Sequence, residues 1–170
     1  MRNTILKGVF LFFLFIFSFL AFLPKENLYF YALEKLDTSG VSVENEVFTS
    51  NFFGFTLLSS DIFYKEMNLL HLEESTVSSF LFYSKVEAIN GKIDGLILEK
   101  IKFSWSILHP LTVDILVDSQ DLKAIGNYNL MTKQVTLLIT PTSEVAIKYK
   151  YLLEQCEKTQ AGEYKLEYNL

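Results

Sequence analysis

His71 and His109 are the only histidines of the chain and Cys156 its only cysteine, so any acid–base, nucleophilic or metal chemistry must start from them. An imidazole becomes a base or a ligand when a carboxylate or further ligands stand beside it. Here the two histidines fall on different predicted strands, and along the chain neither has a carboxylate or cysteine at ligand spacing. Zinc would need three or four such ligands together. Asp114, Asp118 and Asp121 lie close in "HPLTVDILVDSQD", which suggests calcium, but the alternating acidic loop and its turn glycine are missing. The wet face of a strand followed by a turn accounts for them better. Cys156 sits on a predicted helical stripe and reads as a small core residue, because an activated thiol wants an adjacent base. The seven glycines are scattered singly, without a phosphate-binding loop. No catalytic residue, cofactor or metal is therefore expected, and the chain is not expected to be an enzyme. That expectation would change if His71 or His109 met an acidic residue in a cleft.

The elements that carry these residues divide in three. From Gly8 to Leu23 the chain has no charged residue, and only Gly8 and Ser18 interrupt the apolar ones. A hydrocarbon core takes roughly 20 helical residues, and Lys7 near one end can reach toward headgroups. Residues 5–23 are therefore expected to form a transmembrane anchor. The alternative is a signal peptide cut near Ala21, although no pair of small residues two apart marks a cleavage site. Pro24 stops the helix, and 25–40 reads as a juxtamembrane helix and linker ending at Gly40. Arg2 and Lys7 on the N-terminal side imply a cytoplasmic N-terminus and a domain across the membrane. In a bacterium, that is a single-pass inner-membrane protein with a periplasmic domain.

Residues 41–170 form the exported β-rich domain of this reading. Apolar residues alternate with polar ones, most clearly in "EKIKFSWSIL", where Ile101, Phe103, Trp105 and Ile107 face one way. "LTVDILVD" repeats the pattern with Val113, Ile115 and Val117. A polar turn at Met131 and Thr132 joins two further runs as a hairpin. Helical spacing returns from about residue 143 to 158, where Val145, Tyr149, Leu152 and Cys156 share a stripe and Thr142 or Ser143 can cap the start. A last alternating run places Tyr164, Leu166, Tyr168 and Leu170 on one face. The fold class is mainly β: an N-terminal transmembrane helix, then a curved antiparallel meander sheet of about eight or nine strands with a C-terminal helix packed on it.

The chain carries a net charge of −5, and the part beyond Arg2 and Lys7 is more acidic still, which argues against nucleic acid as a partner. Within 54–96, Leu58, Asp61, Ile62 and Tyr64 make one strand phrase, and Leu69, Leu70 and Leu72 a second. Phe80, Leu81 and Val86 make a third, and Ile89, Gly91 and Ile93 a fourth. This succession resembles the strand pattern of the AsmA-like superfamily, and within it type II secretion system protein N. The resemblance implies a membrane-anchored periplasmic accessory component of a protein export system, with other envelope or secretion proteins as partners and no catalytic residues. It also implies the alternative of a lipid-binding or lipid-transfer module. Phe103, Trp105, Ile107, Val113, Ile115 and Val117 would then line an apolar groove; the competing reading is a core sealed by the C-terminal helix.

Overall fold

The structure is a computed structural model that describes residues 2–22, 24–80, 82–93, 95–160 and 162–169; within these ranges, side chains are described from Lys7 to Phe19 and from Pro24 onward. Helix α1 (Arg2–Phe22) leads into α2 (Lys25–Asp37). The strands β1 (Val41–Glu44), β2 (Val47–Asn51), β3 (Gly54–Tyr64), β4 (Met67–Phe80), β5 (Tyr83–Ile93) and β6 (Leu96–Ser106) follow. Next come β7 (His109–Asp118), β8 (Leu122–Asn129) and β9 (Gln134–Pro141). The short helices α3 (Ser143–Lys148) and α4 (Lys150–Leu153) precede β10 (Glu157–Lys158) and β11 (Tyr164–Asn169).

The strands make one open antiparallel sheet of eleven, in the order β1-β3-β4-β5-β6-β7-β8-β9-β11-β10, with β2 also on β3. Eleven replaces the expected eight or nine for local reasons. "VSVENEVF" is two strands, because Asn45 turns the chain at φ 62°; both halves then pair with β3. "NLLHLEE" and "STVSSFLFYSKVEAI" read as two strands, but the first continues through Phe80 as β4, and the second is divided by a reversal just before Tyr83, where β5 begins. The expected helix over 143–158 is shorter and broken. Tyr149 leaves helical geometry at φ −107°, ψ 26°, and Glu157 and Lys158 are taken by β11. Thr142 stands at the N-cap without a side-chain capping bond.

The transmembrane helix expected over 5–23 is not found: among the described residues no helix is long and apolar enough to cross a membrane. Leu170, expected on the last strand, and Leu81 lie outside the described residues.

Strict alternation fails at one place, and it fails together in four strands. Leu57 and Ser60 are buried in β3, Leu72 and Ser75 in β4, Ala88 and Gly91 in β5, and Leu98 and Ile101 in β6. Positions three apart should point to opposite faces of a strand. Here two residues in a row turn away between them, helped by positive φ at Ser59 (60°) and Asn90 (54°). Register aligns the breaks: Leu57, Ser75, Ala88 and Ile101 form one row, and Ser60, Leu72, Gly91 and Leu98 the next. Leu72, Ala88, Leu98 and Ile101 form the main core cluster. Glu73, turned outward at the break, accepts hydrogen bonds from Asn90 Nδ2 (2.7 Å) and Lys92 Nζ (3.1 Å), which ties β4 to β5 there.

The accessible surface is 12,084 Å², against about 8,600 Å² for a compact monomer of this size. The exposed helix α1 and a sheet without a full second layer together account for the excess.

Candidate functional site, an apolar sheet face

Directly opposite strand residues share a face, so the register shows what each strand contributes. Phe103 pairs with Val86 and Ile115, and Trp105 with Val113. Ile115 pairs with Gly126, which pairs with Leu137, which pairs with Leu166. On the other side Val77 pairs with Val86. The result is an apolar row across seven strands, from Val77 to Leu166. A parallel row holds Ile101, Val117, Ala124 and Ile139. Five of the six residues expected as a groove or core therefore meet on this face. Ile107 does not, because the register shifts at Trp105/Ser106 and the chain turns there. Trp105 Nε1–H donates to the Pro110 carbonyl (3.0 Å), which satisfies the indole's polar atom beside the hairpin.

The helices cover the flanks of this face. Tyr29 of α2 is buried with its ring 5.4 Å from that of Phe48 and 5.3 Å from that of Phe55. Its hydroxyl donates to Glu46 Oε1 (3.0 Å), and burial first, then that carboxylate, raises its pKa. At the other flank Val145 and Leu153 are buried. With Tyr149 and Leu152 they roof a hollow of about 230 Å³ whose floor is Ile93, Leu96, Leu122 and Ile139. The lid thus lies over one end of the face. In its middle, Phe103 and Val86 stay 40% and 38% exposed.

The opposite face carries charge. Glu87 accepts from Lys100 and Lys85, and these bonds lower its pKa to about 2. Asp118 pairs with Lys123 (3.4 Å). Asp114 lies in mid-strand opposite Asn127, and Asp121 falls in a turn. Among the described residues no three potential ligands gather as a metal site.

His71 does meet a carboxylate, which spacing along the chain did not reveal. The β3–β4 register puts it opposite Asp61, with Nδ1 2.7 Å from Oδ1. Asn45 Nδ2 donates to the other carboxylate oxygen (2.7 Å). Asn45 first and His71 second hold Asp61 below the usual carboxylate range. Asp61 and His71 sit on the adjacent strands β3 and β4, and Asn45 reaches them from the turn between β1 and β2. His109 stands apart at the β6–β7 turn, opposite Ser106. Cys156 follows α4 rather than lying within it, and burial pushes its thiol pKa up, away from the nucleophilic form.

No protein-family model, curated protein or solved structure matches this chain.

Proposed function

We propose that this protein is a membrane-held, lipid-binding module in which the apolar sheet face forms a trough for acyl chains. The observation that carries the reading is the apolar face built on the row from Val77 to Leu166, flanked by helices and open in its middle. Phe103 and Val86 stay exposed within this row, and contiguous apolar ground left uncovered on a sheet marks an interaction or ligand surface. The break shared by β3–β6 bends those strands together, as unpaired strand positions do, and gives the trough its walls. Helix α1 supports the membrane placement: Phe10, Leu11, Phe12, Phe13 and Phe15 are all exposed around its circumference. A helix apolar on every side belongs in protein or in lipid. Arg2 and Lys7 favour an N-terminus on the cytoplasmic side, with the sheet in the periplasm of a bacterial envelope. The resemblance to AsmA-like proteins points the same way.

Trp105 is the chain's only tryptophan and lies on the trough floor, which makes it a built-in reporter. The full chain purified in mild detergent is expected to carry phospholipid, and acyl-brominated phospholipid is expected to quench Trp105. Phe103→Glu should weaken this tenfold or more, about 1.4 kcal/mol or greater. Ile125→Glu, on the opposite face, should leave it unchanged. Equal quenching in both variants, or none in the native chain, would overturn the trough.

An accessory role in protein export, as in type II secretion protein N, has one observation in its favour. β10 pairs only with Tyr164 and Lys165 of β11, so among the described residues the outer edge of Leu166–Asn169 has no strand partner. A partner strand could add there. Crosslinking from Glu167→Cys should then capture a neighbour in the envelope that a cysteine at Lys102 does not.

A further inference from the structure

The two ends of the sheet differ in chemistry. Because successive strands are antiparallel, every second turn lies at the same end. The turns at one end are β2–β3, β4–β5, β6–β7 and β8–β9. Their outermost described side chains are Phe52, Phe82, Leu108 and Met131, exposed by 40%, 59%, 81% and 74%. Stretches 51–54, 80–83, 106–111 and 129–133 contain no acidic residue, and besides His109 their one basic side chain is Lys133. At the other end the connections carry charged residues of both signs in sequence, among them Lys65, Glu66, Asp121, Glu144 and Lys148.

The apolar end is also the end at which α1 arrives. The rings of Phe17 and Phe52 are 5.9 Å apart, and Lys25 Nζ donates to the Phe52 carbonyl (2.8 Å). Neighbouring tips are joined through their backbones. Ser79 N–H donates to Phe53 O (2.7 Å), Ile107 N–H to Phe82 O (3.0 Å) and Leu130 N–H to Leu111 O (2.8 Å). Within the tips, Asn51 Oδ1 accepts from Phe53 N–H (3.1 Å), Ser106 Oγ from Leu108 N–H (3.2 Å), and Asn129 Oδ1 from Met131 N–H (2.9 Å). Backbone donors that would be costly to desolvate are thus already paired, and what points outward is apolar.

We infer that this rim of hairpin tips is a membrane-contact surface. Phe82, Leu108 and Met131 enter the headgroup–acyl boundary of a lipid bilayer beside α1, and Lys133 sits at headgroup level. The charged end points away from the bilayer. The inference rests on the membrane placement proposed above but does not require the trough to hold lipid.

The test uses the full chain with Cys156→Ser, reconstituted into phosphatidylcholine–phosphatidylglycerol vesicles. A single cysteine at Leu108, Met131, Phe82 or Gln120 is labelled with a polarity-sensitive fluorophore, and quenching by acyl-brominated lipid is read after vesicle flotation. Gln120, at the opposite end, is about 30 Å away along a ten-residue strand, beyond contact quenching. The expected result is a blue shift and several-fold stronger quenching at Leu108, Met131 and Phe82 than at Gln120. Chain that floats with unquenched labels at all three tips overturns the rim while leaving membrane placement standing. Equal quenching at Gln120 overturns the orientation. Failure to float removes the membrane placement and the rim together, whereas the trough is judged separately by Trp105 in detergent.

Discussion

Single residues in this sheet decide stability through what they leave unpaired or hold below its ordinary pKa. Ser60 and Ser75 are buried in the apolar face, and among the described residues neither hydroxyl finds a hydrogen-bond partner. A buried unsatisfied hydroxyl is a net cost, so Ser75→Ala is expected to stabilise the fold by about 1 kcal/mol in a denaturant titration. Glu87 behaves in the opposite sense. Its folded pKa of about 2 lies below the ordinary 4.5, so its contribution is complete above pH 4.5 and is lost as pH falls toward 2. Glu87→Gln should therefore flatten the loss of stability between pH 5 and 2, by about 1 kcal/mol for a surface network of this kind. Asp61 adds to the same acid sensitivity, because its folded pKa is also depressed. None of these pairings could be read from the sequence. His71 and Asp61 are ten positions apart, and only the register of their hairpin makes them neighbours. The apolar residues of the face were legible because alternation needs no partner to be seen.

At the scale of elements, the sequence announced the strands from β6 to β9 well and misplaced their neighbours. From Ile101 onward β6 alternates cleanly, as does β7, so Phe103, Trp105, Val113, Ile115 and Val117 fell on the face that periodicity assigned to them. β4 hid its continuity because the shared break interrupts its pattern at Glu73 and Glu74. A window that expects period two sees an ending there. The C-terminal helix failed for a non-local reason: β11 claims Glu157 and Lys158, and helical spacing cannot foresee a competing strand. The strand packing itself is testable at Gly126. A Cβ there would lie 1.9 Å from the Thr136 carbonyl oxygen and 2.8 Å from Leu137 Cα. Gly126→Ala is thus expected to cost about 2–3 kcal/mol by forcing β8 and β9 apart. At Gly91 the added atom would meet only side chains, at 3.2–3.3 Å, so Gly91→Ala should cost less in the same titration.

For the whole molecule, whether the apolar face is sealed depends on where three short helices come to rest, which no local pattern encodes. α2 rests on β1 and β2, and α3 lies against β9. The middle of the face keeps its exposure, so the molecule presents more surface than its length requires. The order of the sheet has one more consequence, and it concerns how the chain acquires its shape. From β3 through β9 every strand pairs with the strand made immediately before it. Closing each hairpin spans only a short loop, whose entropic cost grows slowly with length. Local pairing of this kind places the sheet among the faster-folding β topologies. Each new strand finds its template already laid down, so the sheet can grow in step with its own synthesis or delivery. Only the final edge, where β10 must wait for β11 to be laid between it and β9, remains to be made at the end.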